Sequence, residues 1–327
     1  MGVSRSRTPT PIDHAGAGSP SVELMSRTDL HGIAELMSLP CSVSVLRGES
    51  ALEHLNRSLT VDTIGMPEKG RLDGFLCNAN GRILDRLLIC RLEEELVLIG
   101  NHGAGKATRE VLIRGIAWDE EITVMDGDGA VSHLRLVGAA PNRCIAGMGI
   151  DPNEVDAGHW TEYGSALLSR SYFQGVDSID MIVPTAELAA LIKLLEENGA
   201  VVPDSARCEL VRIELGMLDH REMNEGFLPM EIGLDSMVDL TKGCYPGQEV
   251  HARLDSRGSP TRGIAMLRLD SEVGVGRLKL PGGGSLVVTA SASTRQETVA
   301  LAVVPLRLIE DGTVDLGGGS FAEVQSL

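Results

Sequence analysis

Eight contiguous residues, Lys242-Gly243-Cys244-Tyr245-Pro246-Gly247-Gln248-Glu249, place a thiol, an ammonium and a tight turn in one short stretch. Glycine admits positive φ angles and lets a backbone approach a ligand closely. Pro246-Gly247 is a strong turn signal, and helix formers follow over 248–254. A thiol just ahead of a helix N-terminus and two residues from an ammonium is expected to ionise readily, which makes Cys244 and Lys242 a candidate reactive pair. His251 is the nearby histidine at ligand spacing and no second cysteine joins it, so a complete zinc or cluster site is not expected here. A Cys244–His251 dyad could make contact across the turn, but nothing in the sequence orients it.

Other residues could support chemistry around this stretch. Lys242, Arg253, Arg257, Arg262 and Arg268 outnumber Glu249, Asp255 and Asp270 in a chain whose net charge is −17. That local excess reads either as a basic linker or as the wall of a pocket for an anionic cofactor tail. Asp85 lies inside an apolar strand pattern, on a solvated face or turned into a cleft as a base. Arg212 and Glu214 alternate in Val211-Arg-Ile-Glu-Leu215, which predicts a strand with both on one face: a surface ion pair, or a guanidinium facing a carboxylate-bearing ligand. Gly100-Asn-His-Gly-Ala-Gly-Lys106 has the spacing of a phosphate-binding loop, but Ala107 replaces the magnesium-binding hydroxyl, so a plain glycine-rich turn is expected.

Composition bounds these possibilities. A chain of 327 residues supports two or three domains, and 43% hydrophobic with 23% charged residues is ordinary for a globular protein. The acidic balance argues against a nucleic-acid surface. Six cysteines without a CxxC pair suit a reducing cytosol rather than a disulfide framework. No apolar run reaches membrane-spanning length. Met1-Gly2 with Ser6 formally fits a myristoylation pattern, but residues 1–20 read as a disordered leader.

The elements that must position these residues follow from periodicity. A helix is expected over 24–37, a strand over 41–46, an amphipathic helix over 49–59, and strands over 72–77, 82–91 and 95–99. A helix over 106–116 and strands over 122–125 and 131–138 complete a central module at about 51–139. The stretch 140–175 is left unassigned. A strand over 178–183 and a helix from Thr185 to a stop at Gly199 come next. From 259 to 327, short alternating runs broken by Pro281-Gly-Gly-Gly284 and Gly317-Gly-Gly319 suggest a small antiparallel barrel, appended to an α+β region at 21–258 in two lobes.

Lys242-Gly-Cys-Tyr-Pro-Gly-Gln-Glu249, followed by Val250-His-Ala-Arg253 and Arg257-Gly258, resembles the signature of the YgfZ-type folate-binding proteins, relatives of the glycine-cleavage T-protein, an aminomethyltransferase. Gly81-Arg-Ile-Leu-Asp85, Arg212-Ile-Glu-Leu-Gly216 and Phe227-Leu-Pro229 fall in the order that resemblance requires. It implies a T-protein-like, clover-shaped fold of ferredoxin-like, split β-α-β modules, with tetrahydrofolate in a central cleft. It further implies a role in assembling or repairing iron–sulfur clusters, with iron–sulfur client enzymes or cluster-assembly proteins as partners; separately, a cytoplasmic monomer is expected, and whether it turns over a substrate is left open, leaning against classical turnover. Cys244 matches the family's functional cysteine, Asn101 an asparagine near folate, and Arg212 a position facing the ligand. Asp85, Glu214, Gln248, Glu249, Arg253 and Arg257 complete the expected cofactor-binding set. T-proteins carry Asp-Asp where this chain has Asp85-Arg86, and the second acid assists methylene transfer; many YgfZ-type members have Thr where Pro246 stands. Folate-dependent aminomethyl transfer or demethylation is the alternative reading.

Overall fold

Three sheets organise this computed structural model, which describes residues 34–258 and 260–327. The chain runs β1 (Ala34–Leu39), β2 (Cys41–Arg47), α1 (Ala51–Ser58), β3 (Arg71–Cys77), β4 (Ile83–Arg91) and β5 (Leu96–Asn101). Then come α2 (Gly105–Arg114), β6 (Thr123–Asp126), β7 (Val131–Gly138), α3 (Pro141–Gly147), β8 (Thr161–Tyr163), β9 (Ala166–Phe173) and β10 (Val176–Pro184). α4 (Leu188–Glu197), β11 (Ala200–Val201), α5 (Ser205–Glu214) and α6 (Gln248–Arg257) lead to the C-terminal body. That body holds β12 (Arg262–Leu269), β13 (Gly276–Lys279), β14 (Ser285–Ser293), β15 (Thr298–Pro305), α7 (Leu306–Asp311), β16 (Thr313–Gly317) and β17 (Ser320–Ser326).

The central sheet has the order β3-β4-β5-β2-β6 and is antiparallel throughout. The second sheet runs β11-β1-β7-β10-β9-β8, with β1 and β11 its parallel pair. The C-terminal sheet, β13-β14-β15-β12-β17-β16, is antiparallel and curled but open, since its edge strands β13 and β16 do not pair. Only Pro40 separates β1 from β2, yet the two strands belong to different sheets, as do β6 and β7. The chain therefore crosses twice between the central and second sheets and stitches them together.

Two expectations on local structure are corrected. The described end of the expected 24–37 helix is strand β1; the rest of that helix and the 1–20 tail lie outside the described residues. Ala34-Glu-Leu-Met favours helix intrinsically, but pairing with β7 on one edge and β11 on the other overrides that weak preference. The second correction concerns 211–215, where the strand expected around Arg212 is instead the end of helix α5. Asp204 caps it, its carboxylate accepting from the Arg207 N–H at 2.8 Å. Val211 and Leu215 pack with Met37 and Val137 of the second sheet, while Leu210 and Ile213 pack with Met266 and Leu301 of the C-terminal sheet. A helix buried on two sides carries apolar residues so densely that a short window of it mimics strand alternation. The unassigned stretch 140–175 contains α3, β8 and β9.

Each sheet has its own core, and the cores meet in pairs. Leu55, Leu87, Leu98 and Leu112 join the central sheet to α1 and α2. Leu136, Ile179, Leu191 and Leu195 bind the second sheet to α4. Val43, Ile99, Trp160 and Ile182 pack where these two sheets face each other, and Phe75, Ile83, Phe227, Ile264 and Val303 join the central sheet to the C-terminal one. α5 covers the third seam, so three bodies surround a common centre.

A buried ion cluster holds the first seam. Asp180 on β10, with no solvent exposure, receives Arg135 Nε at 2.8 Å and His133 Nε2 at 2.9 Å on one oxygen. On its other oxygen it receives Arg71 Nη2 and Ser171 Oγ at 2.7 and 2.9 Å. Arg71 belongs to the central sheet and the other partners to the second. Burial alone would raise the Asp180 carboxyl, but Arg135 and Arg71 hold it well below the usual carboxylate range. Asp180→Asn keeps the volume, leaves the buried Arg135 guanidinium without its counter-charge and leaves Arg71 with Asp73 alone, at 3.5 Å. Urea denaturation is expected to show a loss of about 3–5 kcal/mol; a loss within ~0.5 kcal/mol, typical of a surface substitution, contradicts this role.

Candidate functional site

The loop before α6 is fixed by its own polar groups. Asp239 Oδ1 accepts from the Thr241 N–H at 2.7 Å and the Lys242 N–H at 3.1 Å, which opens the loop as an Asx turn. Gln248 Nε2 closes it by donating to the carbonyls of Leu240 and Lys242, both at 3.4 Å. Gly247, the residue ahead of α6, has φ +87° and lies so near the β3–β4 turn that an added Cβ would sit 2.5 Å from Gly81 Cα. This is the close backbone approach that the Pro-Gly pair signals.

His251 locks this contact. It is fully buried, with Nε2 2.9 Å from the Gly81 carbonyl and Nδ1 3.3 Å from the Tyr245 hydroxyl. Burial pushes its pKa below the ordinary histidine value. Both ring nitrogens are thus occupied away from Cys244, and no catalytic dyad forms. Tyr245 is buried beneath the loop while Cys244 is exposed, so the loop presents its thiol outward on a fixed base.

Lys242 turns the other way. Its ammonium donates to the Asn56 carbonyl at the end of α1, stands 3.4 Å from Asn56 Oδ1, and lies 5.1 Å from the centre of the Tyr245 ring. Burial lowers its pKa to about 8, against smaller opposing effects of Asp62 and Asp239. A general acid or base working near neutrality needs such a value.

Asp85 and Arg86 alternate on β4 and therefore face opposite sides of the central sheet. Asp85 is fully buried on the α2 side, accepting from Thr108 Oγ1 at 2.6 Å and the Asn101 N–H at 2.8 Å. Burial raises it to about 6. Thr108 lies in the first turn of α2, so Gly100–Lys106 is a structural strand-to-helix turn whose Lys106 and Ala107 are exposed. Arg86, on the opposite face, pairs with Asp73 of β3. The Asn101 side chain reaches the segment between α5 and α6 and donates to the Met223 carbonyl at 3.0 Å.

The remaining expected residues do not converge on one point. Arg212 is on a helix, where residues two apart diverge, so it does not share a face with Glu214. Glu209 at 3.1 Å and Glu222 at 3.2 Å neutralise its guanidinium, while Glu214 faces Arg268 at 3.6 Å. Glu249 and Arg253 form an exposed i,i+4 pair at 3.3 Å on the outer face of α6. The Arg257 side chain lies outside the described residues. Among the expected residues the fold brings Asp85 to Asn101 and Gln248 to the Lys242 carbonyl, while the Lys242 ammonium and the Cys244 thiol face apart.

Glu222 stands out beside them. It is fully buried; Oε2 accepts from Arg212 and from the Asp219 N–H, while Oε1 has no partner among the described residues. Nothing in its sequence context distinguishes it. Asp180, Arg71 and Arg135 were also missed, although His133 and Arg135 alternate as inward polar residues within an apolar strand. No cluster of His, Cys, Asp and Glu able to hold a metal occurs among the described residues, and none of their helices is long and apolar enough to cross a membrane.

With a lowered pKa, Lys242 binds fewer protons than an ordinary lysine between about pH 8 and 10.5. Pulse acylation with mass-spectrometric readout is therefore expected to show modification of Lys242 rising with a midpoint near pH 8. A midpoint near the ordinary value of 10.5 contradicts the burial argument.

Comparison with known proteins places this geometry. The family model of the GCVT N-terminal domain matches residues 41–242. The aminomethyltransferase of Symbiobacterium thermophilum is 26% identical over 292 residues, covering 82% of this chain and 77% of the relative. That of Paraburkholderia phymatum is 23% identical, covering 79% and 74%. The crystal structure of glycine cleavage system aminomethyltransferase T from Bartonella henselae superposes with a TM-score of 0.76 at 22% identity, covering 90% of this chain and 86% of that one. The fold is thus that of an aminomethyltransferase, with mixed α and β content and a curled C-terminal antiparallel sheet. With the family model spanning well over half of its length, the chain belongs to the GCVT family.

Proposed function

We propose that this protein binds tetrahydrofolate or a close derivative and supports the assembly or repair of iron–sulfur clusters in client enzymes, with Cys244 as its reactive centre. The observation that carries this reading is the arrangement at residues 85 and 86. The carboxylate of Asp85 is sealed on the α2 side by Thr108 and Asn101, and the opposite face offers the Arg86 guanidinium. Neither residue 85, sealed by its own partners, nor residue 86, a guanidinium paired with Asp73, presents a free carboxylate to a reacting amine. The chemistry that remains exposed is the thiol.

The residues fit a folate-type ligand. Tetrahydrofolate carries N–H donors on its pterin edge, and Glu222 Oε1 is a buried acceptor without a partner. Such an acceptor is costly unless a donor arrives. Glu222 adjoins Met223, whose carbonyl is held by Asn101, so donor-seeking and ligand-positioning groups lie on one segment. The iron–sulfur role rests on the resemblance of Lys242–Glu249 to the YgfZ signature and on the outward thiol. The cluster or its sulfur is cargo passing at the loop, and Lys242 holds the loop from beneath through the Asn56 carbonyl.

Aminomethyl transfer is the second reading, favoured by the family itself. One set of experiments separates the two. Calorimetry is expected to show tetrahydrofolate binding to the wild type and to Cys244→Ala alike. In a strain lacking the protein, Cys244→Ala is expected to fail to restore the activity of iron–sulfur enzymes. Full rescue by both Cys244→Ala and Lys242→Ala removes the loop from the function. Rapid methylene transfer from glycine- or sarcosine-like donors to tetrahydrofolate establishes the transferase instead.

A further inference from the structure

His251 is a buried titratable group that the chemistry at the thiol does not use, and its two nitrogens carry opposite roles. A carbonyl only accepts, so Nε2, 2.9 Å from the Gly81 carbonyl, carries the ring proton. In the neutral ring Nδ1 is then bare, and it accepts from the Tyr245 hydroxyl at 3.3 Å. Tyr245 is the residue next to Cys244, and Gly81 lies in the turn on which the loop rests at Gly247. One imidazole therefore ties the neighbour of the thiol to the central sheet.

A second proton has no place in this arrangement. It would enter at Nδ1, facing a hydroxyl that already donates there. Tyr245 keeps its own proton, because burial raises its pKa, so the hydroxyl would have to turn and leave its hydrogen without an acceptor. Nothing offsets the added charge either. The Lys242 ammonium lies 5.1 Å from the Tyr245 ring centre, and Arg82, beside Gly81, is paired with Glu231 at 3.1 Å. Cys77, near Tyr245, stays neutral because burial pushes its thiol up to about 12. Glu249, Arg253 and Asp255 of α6 itself are exposed. Burial thus acts on the ring against the Gly81 carbonyl alone, and it wins, holding His251 below the ordinary histidine value.

We propose that His251 is the positioning residue for Cys244 and makes presentation of the thiol acid-sensitive, latching the loop when neutral and releasing it when protonated. A released loop exposes an ordinary histidine, which takes up its proton near pH 6.5, whereas the latched ring resists it. The latch is therefore fully formed above that value and weakens as the pH falls below it. The latch stands on the ring and its two partners; its meaning for function rests on the reading of Cys244 as the reactive centre.

Hydrogen exchange of the full chain, corrected for the intrinsic rate at each pH, reads the latch directly. The informative amides are those of Gly81, Gln248, Val250 and His251, which donate to the Asn78, Tyr245 and Gly247 carbonyls. Their protection is expected to stay level from about pH 7.5 to 6.5 and then to fall, approaching the tenfold per pH unit that one linked proton allows. Amides of β7 and β10 are expected to keep their protection over the same range. His251→Gln, whose amide can still donate to the Gly81 carbonyl but takes up no proton, is expected to abolish the fall. Circular dichroism checks that variant, and if it does not fold the wild-type profile decides. A wild-type profile that stays level down to about pH 5 overturns the proposal. So does a folded His251→Gln that keeps the fall, or a loss spread equally over β7 and β10. None of these readouts involves folate or a cluster. Restoration of iron–sulfur enzymes by Cys244→Ala would remove the thiol from the function and leave the latch, whereas a level profile removes the latch and leaves the thiol.

Discussion

The fold depends on a single buried carboxylate between two sheets. Removing an ion from water is expensive, and only good geometry with every lone pair engaged offsets the cost. Asp180 meets that condition: Arg135 and His133 occupy one oxygen, Arg71 and Ser171 the other. An apolar seam of the same size would tolerate sliding. A carboxylate gripped from both sheets does not, because any shift strands a buried charge. The guanidiniums are themselves packed, Arg135 4.4 Å from the Phe173 ring centre and Arg71 5.3 Å from that of Trp160. The cluster therefore sets the register of the central sheet against the second one.

From that junction the central sheet carries order outward to the thiol. β4 runs from Arg86 and Asp85 back to the turn at Gly81, and the turn is what the Cys244 loop rests on. The support is backbone against backbone, with Gly247 over Gly81, and His251 fastened across the contact. A side chain at Gly247 would hold the two backbones apart, and one at Gly81 would strike the His251 ring, 2.8 Å from Nε2. A reactive thiol needs exposure, and an exposed loop ordinarily loses definition. Here the anchoring lies beneath the loop, so Cys244 is accessible without being loose.

What the sequence made legible was local. The proline–glycine turn and the helix after it follow from backbone preferences, and the alternation over 131–138 and 178–183 gave β7 and β10 nearly to the residue. Asp85 was visible as an acid inside an apolar strand. What was not legible depends on neighbours far along the chain. β1 is a strand because β7 and β11 flank it, and α5 is a helix with two apolar faces because two sheets claim it. Arg212 is spent on acids that follow it, and no spacing rule shows that Glu222 keeps a free oxygen. The charge excess around 242–268 was visible, but its partition was not. Glu231, Glu214 and Glu249 engage Arg262, Arg268 and Arg253 in turn.

The same wiring bears on whether a folate is a reactant or a support. A reactant must meet the group that acts on it, and Cys244 points to solvent while the free oxygen of Glu222 is buried. The two are joined instead through β4 and its neighbours. Met223 is held by Asn101, the Asn101 N–H is held by Asp85, and four residues before Asp85 the Gly81 carbonyl bonds His251 beneath the thiol. A ligand that satisfies Glu222 stabilises the first link of that chain, and its binding energy adds to the stability of every conformation in which the later links are formed. The loop is the last of those links. A ligand at Glu222 thereby favours the state in which Cys244 is presented, without having to reach the thiol itself.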